Sequence, residues 1–189
     1  MAESRRLWSW WLVFVVFIVL AFILLNRFPS FHNATQANQP GLYSINRFVD
    51  GDTIAVNMNG TAETVRMIGV DTPETHKPGT PVQCYGETAA AYTKQLIGSS
   101  KVRLQADPLD TNRDRYGRLL RYVYLPDGTL LEAKLITEGY GFAYSQFPFT
   151  KTEEFKIDEA RAKAAGRGLW SACQVTIESN GRAQTNPAQ

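Results

Sequence analysis

Strand-like runs fall at Leu42 to Val49, Thr53 to Val56, Thr64 to Ile68, Lys101 to Gln105 and Leu119 to Leu125. Apolar and polar positions alternate clearly in the second and third, as half-buried strands require. Asn59-Gly60 lies between those two, and both residue types tolerate positive φ, so the pair predicts a tight hairpin. Pro126-Asp127-Gly128 closes the last run as a turn. Helical spacing occupies Glu87 to Ile97, Leu130 to Glu138 and Thr152 to Ala165, the last followed by the helix stops Gly166 and Gly168. Five strands with a helix late in the meander predict an α+β, mainly β fold: a five-stranded OB-like barrel with three flanking helices. No internal repeat is visible.

Ahead of this domain the pattern changes. No charge interrupts the chain between Arg6 and Arg27, and Leu7 to Leu25 is dominated by Leu, Val, Phe, Ile and Trp. At ~1.5 Å per residue this run is long enough to cross ~30 Å of hydrocarbon. Trp8, Trp10 and Trp11 crowd its first turns, and Arg5 and Arg6 precede it against Arg27 behind. The expectation is one N-terminal transmembrane helix with the remainder on the extracytoplasmic side. A cleaved signal peptide is the rival, although Asn26-Arg27-Phe28-Pro29 makes a poor cleavage site. The chain then divides into an anchor (1–27), a polar stalk (28–41), a folded domain (42–174) and a tail expected to be disordered (175–189).

Composition is that of a globular chain: 189 residues, 44% hydrophobic and 20% charged. The formal net charge of +2 vanishes within residues 41–174, which hold sixteen basic and sixteen acidic residues. Overall charge therefore makes no case for nucleic acid, and any electrostatic argument must be local. Two cysteines, Cys84 and Cys173, suggest a bridge if the domain lies in an oxidising compartment, with two buried thiols as the alternative. Only His32 and His76 are present, which leaves little for histidine-dependent chemistry, and no Gly-rich phosphate loop followed by Lys occurs.

The chemistry-bearing residues cluster at strand ends. Asp52 begins one strand of the expected hairpin and Asp71 ends the other, so two carboxylates can meet on one cation. Oxygen donors favour Ca²⁺ or Mg²⁺ over zinc, and the Thr72 carbonyl, freed before Pro73, adds a ligand. Glu74 is placed to take or orient the proton of a nearby water. Arg66 lies five residues before Asp71, an odd spacing that puts the two on opposite faces of a regular pleat unless a bulge or barrel rim intervenes. Arg113, Arg115, Arg118 and Arg121 interleave with Tyr116, Tyr122 and Tyr124, offering guanidinium forks for phosphate and rings for stacking.

At these residues the chain resembles the staphylococcal nuclease (thermonuclease) family. Val49-Asp50-Gly51-Asp52-Thr53, the run from Val65 to Thr75, and Asp114-Arg115-Tyr116-Gly117-Arg118 follow the family order, and Tyr85-Gly86-Glu87, Ala143-Tyr144 and Gly168-Leu169-Trp170 extend the likeness over Tyr43 to Ser171. The resemblance implies an OB barrel with three helices and Ca²⁺-dependent hydrolysis of DNA and RNA that leaves 3′-phosphate ends. It implies Asp52, Asp71 and Thr72 as metal ligands, with Glu74, Arg66 and Arg118 catalytic, and Arg115, Tyr116 and Tyr144 on the substrate. Arg115 stands where the family often has Lys, and Gln146 where a second pocket tyrosine occurs. No obligate protein partner is evident. An inert nucleic-acid-binding OB module tethered to the membrane is the alternative, and a membrane-tethered interaction domain a third reading.

Overall fold

A computed structural model describes residues 41–75, 79 and 81–188. The expected anchor, most of the stalk, and His32 and His76 lie outside the described residues. Among those described, no helix is long and apolar enough to cross a membrane.

Five strands close into a barrel: β1 (Leu42–Asp50), β2 (Thr53–Met58), β3 (Thr61–Met67), β5 (Val102–Gln105) and β6 (Leu119–Tyr124). Their order around the barrel is β1-β2-β3-β6-β5. All pairs are antiparallel except β3 with β6, where Val65 lies opposite Leu119. β1 is long enough to pair with both β2 and β5, and its register slips between Ile45 and Arg47 and again between Phe48 and Asp50. Such bulges supply the bend that closing a small barrel demands. Asn59 and Gly60 carry φ of 54° and 87°, the expected hairpin turn.

Three principal helices flank the barrel: α1 (Gly86–Ile97), α2 (Leu131–Thr137) and α3 (Thr152–Ala164); a short α4 (Leu169–Ala172) follows. α1 buries Ala89, Thr93 and Ile97, one stripe at four-residue spacing. α2 buries Leu131, Leu135 and Ile136, and α3 buries Phe155 and Ala162. Of these, Ile97, Leu131, Leu135, Ile136 and Phe155 join Ile54, Val56, Val65, Met67, Val102 and Val123 in a single apolar core.

Two features depart from the expected layout. Asp71 does not end the hairpin strand. The chain turns at Gly69 (φ +74°), where an added Cβ would collide with the ring of Phe149, and Asp71 then lies in a separate strand, β4 (Val70–Asp71). β4 pairs with β7 (Phe142–Ala143), whose Ala143 N–H donates to Glu159 of α3 at 2.9 Å. The tail at 175–189, expected to be disordered, instead folds over its described part as an antiparallel hairpin, β8 (Val175–Ile177) and β9 (Ala183–Thr185). It lacks an apolar period because its stability comes from cross-links to the domain: the Cys84–Cys173 disulfide and backbone bonds from Cys84 N–H to Asn186 O (2.7 Å) and Ala188 N–H to Val82 O (2.8 Å).

Glu132 on α2 is wholly buried, and the Val123 N–H donates to its carboxylate at 2.9 and 3.2 Å. Burial pushes this carboxyl well above the usual glutamate range, with Lys151 and Arg66 offsetting only part of that. The unfolded chain thus gives up this proton more readily than the folded one. The fold then loses stability as pH rises from about 4.3, the ordinary value, toward the raised one. Glu132→Gln is expected to be more stable than the parent at pH 8 by about 1 kcal/mol or more, and to lose that advantage near pH 4. Urea midpoints at the two pH values check it; a difference independent of pH would contradict the assignment.

Candidate active site

Local structure places the acidic residues before any ligand does. The Asp50–Asp52 turn between β1 and β2 is pinned by the buried Thr93 hydroxyl of α1, which donates to Gly51 O at 2.6 Å. A Cβ at Gly51 would strike the Thr72 side chain at 2.7 Å, so the turn and the Thr72 segment pack in direct contact. Asp52 Oδ2 accepts the Thr72 N–H at 2.9 Å, and Asp52 Oδ1 accepts the Thr53 hydroxyl at 2.8 Å. Asp52 and Asp71, both buried, thereby come together across two strands.

Arg66 joins them. Its Nη1 lies 2.6 Å from Asp52 Oδ2 and its Nη2 2.9 Å from Asp71 Oδ1, with the side chain 13% exposed. The odd spacing between Arg66 and Asp71 causes no conflict, because the break at Gly69 ends the pleat before Asp71 and resets which face each residue shares. Burial alone would lower the Arg66 pKa, but Asp52, Asp71 and Glu74 together hold it above its ordinary value. Asp50, beside the pair, is pushed up to about 6 by burial and by the charges of Asp52 and Glu74.

Glu74 follows on the same segment. Its N–H donates to Gln83 Oε1 at 2.8 Å, and its carbonyl accepts the Gln83 N–H at 2.9 Å. Gly86, opening α1, packs so closely that a Cβ there would meet Glu74 O at 2.8 Å. The helix start and Gln83 thus set the height of Glu74 over the site.

Among the described residues, the other expected residues make no hydrogen bond or ion pair with this cluster. Arg118, in the loop entering β6, donates through Nε to Asp114 Oδ2 at 2.6 Å, and among the described residues its side-chain hydrogen bonds go to Asp114 alone. Burial raises the Asp114 carboxyl, but Arg118 and backbone N–H donors hold it below its ordinary value. Arg115 donates to the Tyr116 hydroxyl at 2.7 Å and lies over that ring, which is 68% exposed. Tyr144 packs against Phe147 with centroids 6.2 Å apart, and its N–H donates to Gly69 O.

The donor set fits a hard divalent cation. One guanidinium already bridges Asp52 and Asp71, so one cation can. The buried Thr72 hydroxyl, packed against Gly51, has no hydrogen-bond partner among the described residues. No three His, Cys, Asp or Glu side chains among the described residues gather as a metal cage. Two carboxylates, a backbone carbonyl and water are the kind of oxygen set Ca²⁺ accepts.

A model of the family described as staphylococcal nuclease homologue matches residues 64–172, more than half of the chain. The chain belongs to the staphylococcal nuclease family. It is 39% identical to the thermonuclease of Staphylococcus hyicus over 163 residues, 85% of this chain and 94% of that one. It is 46% identical to endonuclease YncB of Bacillus subtilis over 130 residues, 68% of this chain and 61% of the other. The SPbeta prophage-derived endonuclease YokF of the same organism is 47% identical over 130 residues, and the match covers 43% of it. The chain thus spans about half the length of these two Bacillus relatives.

Several residues of this candidate site carried no signal of their own in the sequence. Gln83 and Thr93 look like ordinary polar residues on either side of a helix start, and Asp114 like a turn former. Arg182 lies in the polar tail, yet its Nε is 2.7 Å from Asp71 Oδ2.

Proposed function

We propose that this chain is a Ca²⁺-dependent phosphodiesterase that hydrolyses DNA and RNA and leaves 3′-phosphate ends. The observation that carries the reading is the convergence of Asp52 and Asp71 on a single cationic group, with Glu74 on the adjoining segment. The names of the relatives, thermonuclease and endonuclease, support the substrate class.

Asp52, Asp71 and the Thr72 carbonyl would hold Ca²⁺, which when bound neutralises phosphate charge and polarises a phosphoryl oxygen. Glu74, partly exposed and fixed through its backbone by Gln83, takes or orients the proton of the attacking water. The water oxygen bonds to phosphorus; the bond from phosphorus to the 5′ oxygen breaks, its electron pair leaves with that oxygen, and a proton completes the 5′ hydroxyl. Arg66, desolvated beside Asp52 and Asp71 and released when a cation takes those carboxylates, donates to the oxygens on which charge grows. Arg118, held by Asp114 through Nε, offers its terminal nitrogens to the same group. Arg115 and the exposed Tyr116 meet a terminal phosphate, and Tyr144 offers its ring to a base.

We further place the nuclease on the extracytoplasmic face, tethered by the Leu7–Leu25 run. The Cys84–Cys173 bridge supports an oxidising compartment.

Cleavage of single-stranded DNA, duplex DNA and RNA with Ca²⁺ or with a chelator tests the proposal. Cleavage is expected only with Ca²⁺, and Glu74→Gln is expected to slow it by roughly 10²- to 10⁴-fold. A folded chain that binds nucleic acid at low salt but leaves it intact under Ca²⁺ would return the inert binding module as the correct reading.

A further inference from the structure

The hairpin after Cys173 has no part in the chemistry described so far, yet it is built against the site. One side is tied to the segment before α1: the Thr185 hydroxyl donates to Cys84 O at 2.8 Å, and Gln83 bridges Pro187. The other side is tied to the segment after β7, where Gln146 Nε2 donates to Asn180 O at 3.0 Å. The turn between β8 and β9 is closed on itself by Glu178 N–H to Arg182 O and Gly181 N–H to Glu178 O, both 2.8 Å. Arg182 therefore leaves a doubly anchored turn, and its side chain is only 25% exposed.

Its guanidinium grips two residues at once. Nε and Nη2 take the two oxygens of Asp71 at 2.7 and 3.1 Å, and the same Nη2 lies 3.4 Å from Glu74 Oε1. One nitrogen thus sits between the carboxylate assigned to the cation and the carboxylate assigned to the water. These two carboxylates are three residues apart on a segment that leaves a two-residue strand and passes through Pro73, with no regular element to set their separation. Like charges so placed repel unless a donor bridges them. Arg182 also lies beyond the residues 64–172 that match the family.

We propose that Arg182 is a positioning residue of the nuclease site, acting through Asp71 and Glu74 to hold the cation-binding and water-activating carboxylates in a fixed relation. The C-terminal hairpin is the device that delivers it. This assignment rests on the nuclease reading above. It carries an opposed pair of consequences, because the same positive charge that orders the two carboxylates competes with a cation for Asp71. Removing it should strengthen cation binding while slowing the chemical step. A latch that merely blocked the site would speed turnover on removal, and an incidental surface pair would change neither.

The test compares the full chain with its Arg182→Ala and Arg182→Lys variants, with thermal melts to verify folding. Calorimetric Ca²⁺ titration without nucleic acid gives one readout, and kcat and KM on a single-stranded oligonucleotide at saturating Ca²⁺ give the other. Arg182→Ala is expected to bind Ca²⁺ about tenfold more tightly and to lose roughly 10- to 100-fold in kcat, with KM little changed. Arg182→Lys keeps the charge but not the fork, so it should restore Ca²⁺ affinity and only part of kcat. Unchanged or raised kcat in Arg182→Ala, beside an active parent, overturns the role alone. A parent that binds Ca²⁺ and cleaves nothing overturns the nuclease reading and this role together.

Discussion

Arg66→Ala is expected to lower kcat by about 10²- to 10³-fold at saturating Ca²⁺, the scale seen when a preorganised donor to a developing oxyanion is removed. Arg66 is paired with Thr53 across the β2–β3 ladder and buried against both site carboxylates, so a cation that takes those carboxylates frees its guanidinium, already at the site, to meet a phosphate. The same substitution has a second, separable effect. Without Ca²⁺ it leaves Asp52 without its ion pair and Asp71 with Arg182 alone in a desolvated site, at a cost of about 3–5 kcal/mol of stability. Ca²⁺ takes over that charge balance, so the thermal midpoint should recover on adding the ion while turnover does not. Arg66→Lys should keep most of the stability and little of the turnover, since an ammonium cannot span two carboxylates and then fork onto a phosphate. A variant that is folded, Ca²⁺-loaded and fully active would remove Arg66 from the reaction.

The largest effect on stability is expected from the Cys84→Ser, Cys173→Ser double variant. The bridge joins residues 89 apart in sequence, and restricting so long a loop in the unfolded chain is worth about 4–5 kcal/mol in the chain-entropy picture. Much of a small domain's stability is at stake in that one bond. Urea unfolding of the parent with and without reductant, beside the double variant, reads the difference as a shift in midpoint, and an unshifted midpoint would refute it. The loss should reach the site as well. Cys84 O receives the Thr185 hydroxyl, and Cys84 N–H holds Asn186, so loosening this corner frees the hairpin that carries Arg182.

Much of the barrel was legible in the linear pattern. The β2–β3 hairpin, its Asn59-Gly60 turn and the three main helices follow local rules of alternation, helical spacing and turn chemistry, which act over a few residues. The reading failed where the determinant was distant. Asp71 was expected at the end of the hairpin strand; it sits instead in β4, because β7 is available to pair with it, steadied by Glu159 of α3. The tail reads as disordered because it has no apolar stripe; a disulfide and a few backbone bonds to residues 82–84 hold it instead.

By itself the sequence determined the five barrel strands, the three main helices and an inventory of acids and arginines suited to a cation and a phosphate, since each of these is written in neighbouring residues. Only the tertiary structure decided which members of that inventory meet. Asp52 reaches the Thr72 segment across 20 positions and Arg182 reaches Asp71 across 111, and those meetings depend on barrel register, a strand break and a cross-link. No local pattern encodes such distances, because the free energy that enforces them is gained only once the whole domain has closed.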